Sequence, residues 1–130
     1  MISYLYIALG SALGGVARYL VGGVVQQASG GTFPWGTLAV NLTGSFLLGL
    51  FSRYAVDSAA VSPEFRLFLT IGVCGGYTTF STFSYEVVRM LEDGQFGRSV
   101  SYMMLSVALA VGAMVLGLAA GRELVVLRRG

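Results

Sequence analysis

The groups of this chain that could act on a ligand are concentrated in residues 72–86, Gly-Val-Cys-Gly-Gly-Tyr-Thr-Thr-Phe-Ser-Thr-Phe-Ser-Tyr-Glu. The paired glycines Gly75 and Gly76 weaken a helix. A break there leaves carbonyl oxygens at the end of one half and N–H groups at the start of the next. Such carbonyls coordinate cations, and half-helix N-termini face anions. Beyond the glycines, Phe80 and Phe83 share a helix face, as do Thr79 with Thr82 and Ser81 with Ser84. A hydroxyl can turn its proton toward an anion. A phenyl ring has a positive edge, so two edges along one lane stabilise a partly dehydrated anion without trapping it. Weak, repeated contacts suit conduction, because the ion must also leave. The plainer alternative has the hydroxyls back-bonding to the helix and the rings packing on neighbours. That alternative fits any one of these residues better than it fits the whole cluster beside a double glycine.

Other polar residues are sparse. Arg18 lies past the middle of the first apolar segment, where it either snorkels to the interface or draws anions into a vestibule. Asn41 can donate two hydrogen bonds or bind one helix to another. Glu86 closes the uncharged part of the third segment and could be a plain interfacial charge. Tyr102 and Ser106 place hydroxyls on one face of the fourth. With one cysteine, Cys74, and no histidine, an internal disulfide and a Cys/His zinc site are excluded. There is no P-loop and no carboxylate pair inside an apolar segment, so an enzyme is not expected. A net charge of +2, scattered along the chain, does not suggest nucleic acid.

The elements that must position these residues are apolar helices. Of the 130 residues, 55% are apolar and 11% charged, with no charge between Arg18 and Arg53, Arg66 and Glu86, or Arg98 and Arg122. Each gap can hold the ~20 residues that cross a hydrocarbon core. The expected architecture is an all-α integral membrane protein, a single four-helix membrane domain over 1–130 with spans at about 2–26, 36–54, 64–93 and 98–124. The third helix is expected to be broken over 75–79. Small residues near Ala8–Ala12 resemble a signal cleavage site, but without a basic flank the first segment reads as a span. Ser62, Pro63 and Glu64 form a helix-start signal, and Gly94 a stop. Arg53, Arg66, Arg122, Arg128 and Arg129 fall on the side of the termini, against Arg89 and Arg98 opposite, a modest bias toward termini in the cytoplasm. Small residues repeat at four in Gly10/Gly14, Ser11/Gly15, Ser45/Gly49 and Gly117/Gly121. That spacing lets helices approach closely, most simply within the chain and, over three helices, in a homodimer.

The segment Cys74-Gly75-Gly76-Tyr77-Thr78-Thr79-Phe80-Ser81-Thr82-Phe83-Ser84-Tyr85-Glu86 resembles the Fluc (CrcB) fluoride ion channel family. Gly14 to Arg18 and Gly36-Thr37-Leu38-Ala39-Val40-Asn41-Leu42 extend the likeness over all four spans. The resemblance implies an antiparallel, dual-topology homodimer in the lipid bilayer of the bacterial inner membrane. Each dimer would hold two fluoride pores and a central structural sodium ion on backbone carbonyls, which fall here on Gly75 and Thr78. It places Asn41, Phe80, Ser81, Thr82, Phe83, Glu86, Tyr102 and Ser106 along the fluoride path and Arg18 in the vestibule. The fourth span departs from the pattern, because the four-residue steps after Ser106 are Ala110 and Met114, which donate nothing.

No residue looks suited to coupling, so passive fluoride export is the first expectation. The alternative is a proton-coupled exporter of the small multidrug type, which needs a membrane-buried carboxylate. A third reading is an accessory subunit that uses its small-residue faces for packing alone.

Overall fold

The computed structural model describes residues 1–130 and is entirely helical. Helix α1 covers Ile2–Ser29 and ends at Gly30, whose φ of 64° is left-handed and suits glycine. Helix α2 covers Trp35–Asp57. Helix α3 begins at Pro63–Leu67, passes through a π-helical stretch at Phe68–Cys74 and finishes with the turn Gly75–Tyr77. Thr78 and Thr79 are extended, with ψ of 156° and 111°. Helix α4 then runs Phe80–Glu92 and α5 runs Phe96–Arg129. The helices α1, α2 and α5 are each long and apolar enough to cross a membrane.

The local start and stop signals act as their chemistry dictates. Ser62 Oγ accepts from the Phe65 N–H at 3.2 Å and Pro63 occupies the first turn of α3. After α4, Gly94 turns left-handed at φ 73°; its N–H reaches the Leu91 carbonyl and the Gln95 N–H reaches Met90, a Schellman closure.

Close backbone approach holds the bundle. A Cβ on Gly76 would stand 2.7 Å from Ser11 O, and one on Gly10 would stand 2.9 Å from Gly72 Cα, so α1 and α3 touch along their glycines. On the other side of the molecule Gly49 meets Leu118, and Gly121 meets Leu50 and Arg53, locking α2 to α5. In lipid, such contact replaces the hydrophobic effect as the adhesive. Gly15, Gly23 and Gly112 face open space. Where α4 turns into α5, Leu38, Val87, Met90 and Tyr102 form a small buried core with Phe33 and Phe83 packed on it.

The interruption falls at the C-terminal end of the expected interval. Gly75 remains right-handed helical at φ −64°, ψ −38°, and Gly76 lies within the same turn. Their smallness serves the α1 contact at Gly76, and the helix opens only at Thr78–Thr79. The helices also outrun the apolar segments, because intrahelical bonding does not stop where lipid does. The last turn of α5 is held by Arg128, which bonds the Tyr54 hydroxyl, and by Arg129, which donates to the Asp57 carbonyl at 2.9 Å.

Candidate functional site

The break is held open by residues from elsewhere in the chain. Asn41, on α2, accepts from the Thr79 N–H at 2.7 Å and donates from Nδ2 to the Thr79 carbonyl at 3.0 Å. Thr79 is 7% exposed, and its hydroxyl accepts the Thr82 N–H at 3.2 Å, capping α4. It also donates to Thr82 Oγ1 at 3.0 Å. In an unbroken helix the Thr79 and Thr82 amides would bond the carbonyls of Gly75 and Thr78. Both carbonyls therefore lose their helical donors. The Thr78 oxygen takes a long contact from Arg18 Nη1 at 3.5 Å, and Gly75 lies exposed on the surface of the chain.

Two clefts flank the break. The first, about 600 Å³, opens between α1, α2 and α4 and includes Arg18, Thr37, Thr79, Thr82 and Glu86. Glu86 does not hang at an interface. Its Oε1 accepts from the Thr37 hydroxyl and its Oε2 from the Tyr102 hydroxyl, both at 2.6 Å. The second cleft, about 310 Å³, is lined by Asn41, Thr79, Phe80, Phe83, Ser106 and Ala110, among others. The rings of Phe80 and Phe83 lie 5.5 Å apart, and Phe83 continues to Tyr102 at 5.0 Å. Ser106 is 9% exposed and its hydroxyl has no hydrogen-bond partner in the protein.

The structure gathers Arg18, Thr82 and Glu86 in the first cleft and Asn41, Phe80, Phe83 and Ser106 in the second. Thr78, at the break, also lines the second cleft, and Gly75 precedes the break in the last turn of α3. Tyr102 is fully buried and joins both groups through Glu86 and Phe83. Ser81 meets only the Thr79 hydroxyl, at 3.3 Å, and Ser84 back-bonds to Phe80 as the plainer reading expects. Met114 faces Gly49 on α2 instead of either cleft, so the hydroxyl track of α5 stops at Ser106.

Thr37 was not singled out by sequence, although its place one helical turn before Asn41 puts both on one face of α2. Gln26 was missed for a different reason. Its side chain pins the turn between α1 and α2, donating to Gly31 and Phe33 carbonyls and accepting from the Gly36 N–H, each at 3.0 Å, which no spacing rule announces.

Tyr102→Phe removes one of the two donors to Glu86 and leaves a carboxyl oxygen without its partner. A loss of about 1–3 kcal/mol is expected, read as a lower unfolding midpoint of the purified protein.

No three His, Cys, Asp or Glu side chains gather anywhere in the fold. A cation at this site would have to be held by backbone oxygens, of which the carbonyls of Gly75 and Thr78 lack their helical amide donors, Thr78 keeping only the long Arg18 contact.

The model of the family described as CrcB-like protein, Camphor Resistance (CrcB), matches residues 5–118. A protein of Rhizobium meliloti named fluoride-specific ion channel FluC is 48% identical over 93% of this chain and 97% of its own length. Proteins of the same name from Geobacter sulfurreducens and Agrobacterium fabrum are 49% and 47% identical, each over 95% of this chain and over 100% and 99% of their own lengths.

Proposed function

The chain belongs to the CrcB family, and from that premise we propose that it is a passive fluoride-selective channel of the bacterial inner membrane. It works as an antiparallel, dual-topology homodimer with two pores and a central structural sodium ion. The observation that carries this reading is the second cleft. There a buried Ser106 hydroxyl without a protein partner shares a space with the rings of Phe80 and Phe83. A buried donor left unpaired is unfavourable, and a small anion passing the ring edges would satisfy it. Asn41 lines the same space and uses only one Nδ2 hydrogen on Thr79. The N-terminus of α4 adds its positive dipole end.

Fluoride is strongly hydrated, so its path must supply several donors. Ser81, Thr82 and Ser106 offer hydroxyls, and Arg18 draws the anion toward the first cleft. Glu86 and Tyr102 hold Thr37, Phe83 and one another in place at that end.

The dimer is supported by what a single chain leaves bare. Lipid tolerates no freed carbonyl and few hydroxyls, yet Gly75, Ser81 and Thr82 are all exposed, beside Phe80 at 79%. A second copy laid across the break covers them. Two sets of carbonyls without their helical amide donors then face one sodium ion, which offsets the low dielectric for an anion passing nearby.

Electrode-monitored fluoride release from proteoliposomes tests the proposal. Release well above protein-free vesicles, with chloride retained, is expected, and Ser106→Ala should slow it by roughly tenfold, the equivalent of one hydrogen bond. No release above the protein-free rate overturns the reading. The exporter alternative requires Glu86 as a proton carrier, but both its oxygens already hold hydroxyl donors. Proton-driven uptake of an aromatic cation, lost in Glu86→Gln, would restore that alternative.

A further inference from the structure

We propose that Asn41 and the Thr79 hydroxyl are positioning residues for the cation, which open its site by accepting the backbone N–H groups that would otherwise close the helix over it. This rests on the sodium-bearing dimer proposed above, and assigns to particular side chains the work of building the cation site.

The sequence of bonds is specific. A helix continuing through residues 78–82 would set the Thr79 N–H on Gly75 O and the Thr82 N–H on Thr78 O. Asn41 Oδ1 takes the first amide at 2.7 Å and Thr79 Oγ1 takes the second at 3.2 Å. The oxygens so released are three residues apart at the C-terminal end of α3, where the helix dipole is negative. Asn41 is not ordinary adhesive between helices, for which one bond would do. Both ends of its amide grip the backbone of a single residue 38 positions away, which is extended. The Thr79 hydroxyl stabilises the same opening from the other side, and its own burial at 7% exposure keeps water from competing for either amide. Remove either grip and a helical bond can re-form over a carbonyl the cation needs.

The π-helical stretch immediately before the glycines, seven residues from Phe68 to Cys74, belongs to the same device. π-helical turns of this kind recur at functional sites inside α-helices.

The experiment measures cation binding apart from conduction. The unfolding midpoint of the purified full-length protein is followed as sodium replaces N-methylglucamine at constant ionic strength, with potassium as a second arm. Wild-type protein is expected to gain stability with sodium and not with potassium. Asn41→Ala and Thr79→Ala should each move the half-saturating sodium concentration up at least tenfold. Thr79→Ser, which keeps the hydroxyl, should restore it. Hydrogen exchange gives a second reading, because the Thr82 amide loses its side-chain acceptor in Thr79→Ala and not in Thr79→Ser. Should Asn41→Ala fail to fold, the Thr79 pair decides the matter by itself. Alanine variants that titrate like wild type overturn the inference. Wild-type protein that conducts fluoride without any sodium-dependent shift also overturns it and leaves the channel reading standing. A sodium shift that depends on both residues, in a protein that passes no fluoride, upholds it and removes the channel reading.

Discussion

Phe80→Ile is expected to lower fluoride efflux from proteoliposomes by up to about tenfold, and Phe83→Ile by a comparable factor. An aromatic contact contributes about 0.5–1.5 kcal/mol beyond its buried area, and 1.36 kcal/mol corresponds to tenfold in rate. Isoleucine keeps the apolar bulk and removes the positive ring edge, so the substitution separates polarity of the ring from its size. Phe80 is the cleaner test. It is 79% exposed in the single chain and its truncation opens no cavity there. Phe83 packs on Tyr102 at 5.0 Å and touches the small core around Leu38 and Met90. Its loss therefore affects Tyr102 as well, and the unfolding midpoint must be measured beside the flux. Unchanged fluoride flux in both variants would remove the ring-edge mechanism while leaving the hydroxyls in play.

The second large effect falls on assembly of the bundle. Gly76→Leu should abolish the folded protein, seen as aggregation on size-exclusion chromatography. Even a Cβ at this position would lie 2.7 Å from Ser11 O and 2.9 Å from Ser11 Cα. Both are backbone atoms and cannot swing aside, so α1 and α3 must separate. Overpacking a fitted contact costs about 1–3 kcal/mol where neighbours can adjust, and more where they cannot. Separation would also pull Arg18 away from Thr78 and unseat the break. Gly97→Ala provides the contrast, since nothing lies within 4 Å of a Cβ there and the protein should remain monodisperse. Well-folded Gly76→Leu would mean that α1 and α3 are not in the contact described.

Much of the fold could be read from the chain because the signals are local. Hydropathy and the charge gaps locate the apolar segments. Ser62-Pro63-Glu64 and Gly94 place a start and a stop, since each acts on amides and carbonyls within one turn of itself. The broken third helix was legible too, but its position was less so. The glycines suggested the opening, and yet both remain helical, because a flexible residue permits a break without causing one. At the opening itself stands Asn41, bonded to both backbone groups of Thr79, and that reach depends on how α2 packs against α3.

The candidate site divides in the same way. The types of residue, two rings and a run of hydroxyls behind a double glycine, were legible in the sequence. Tertiary structure decided the partners. It placed the carboxyl of Glu86 between Thr37 and Tyr102, and turned Met114 away from the track that Ser106 ends. Hydrogen bonds between helices depend on the rotation and depth of each one, and here those are set by where bare glycine backbones meet. A one-dimensional pattern carries the faces of each helix, but not the angle at which two faces come to rest.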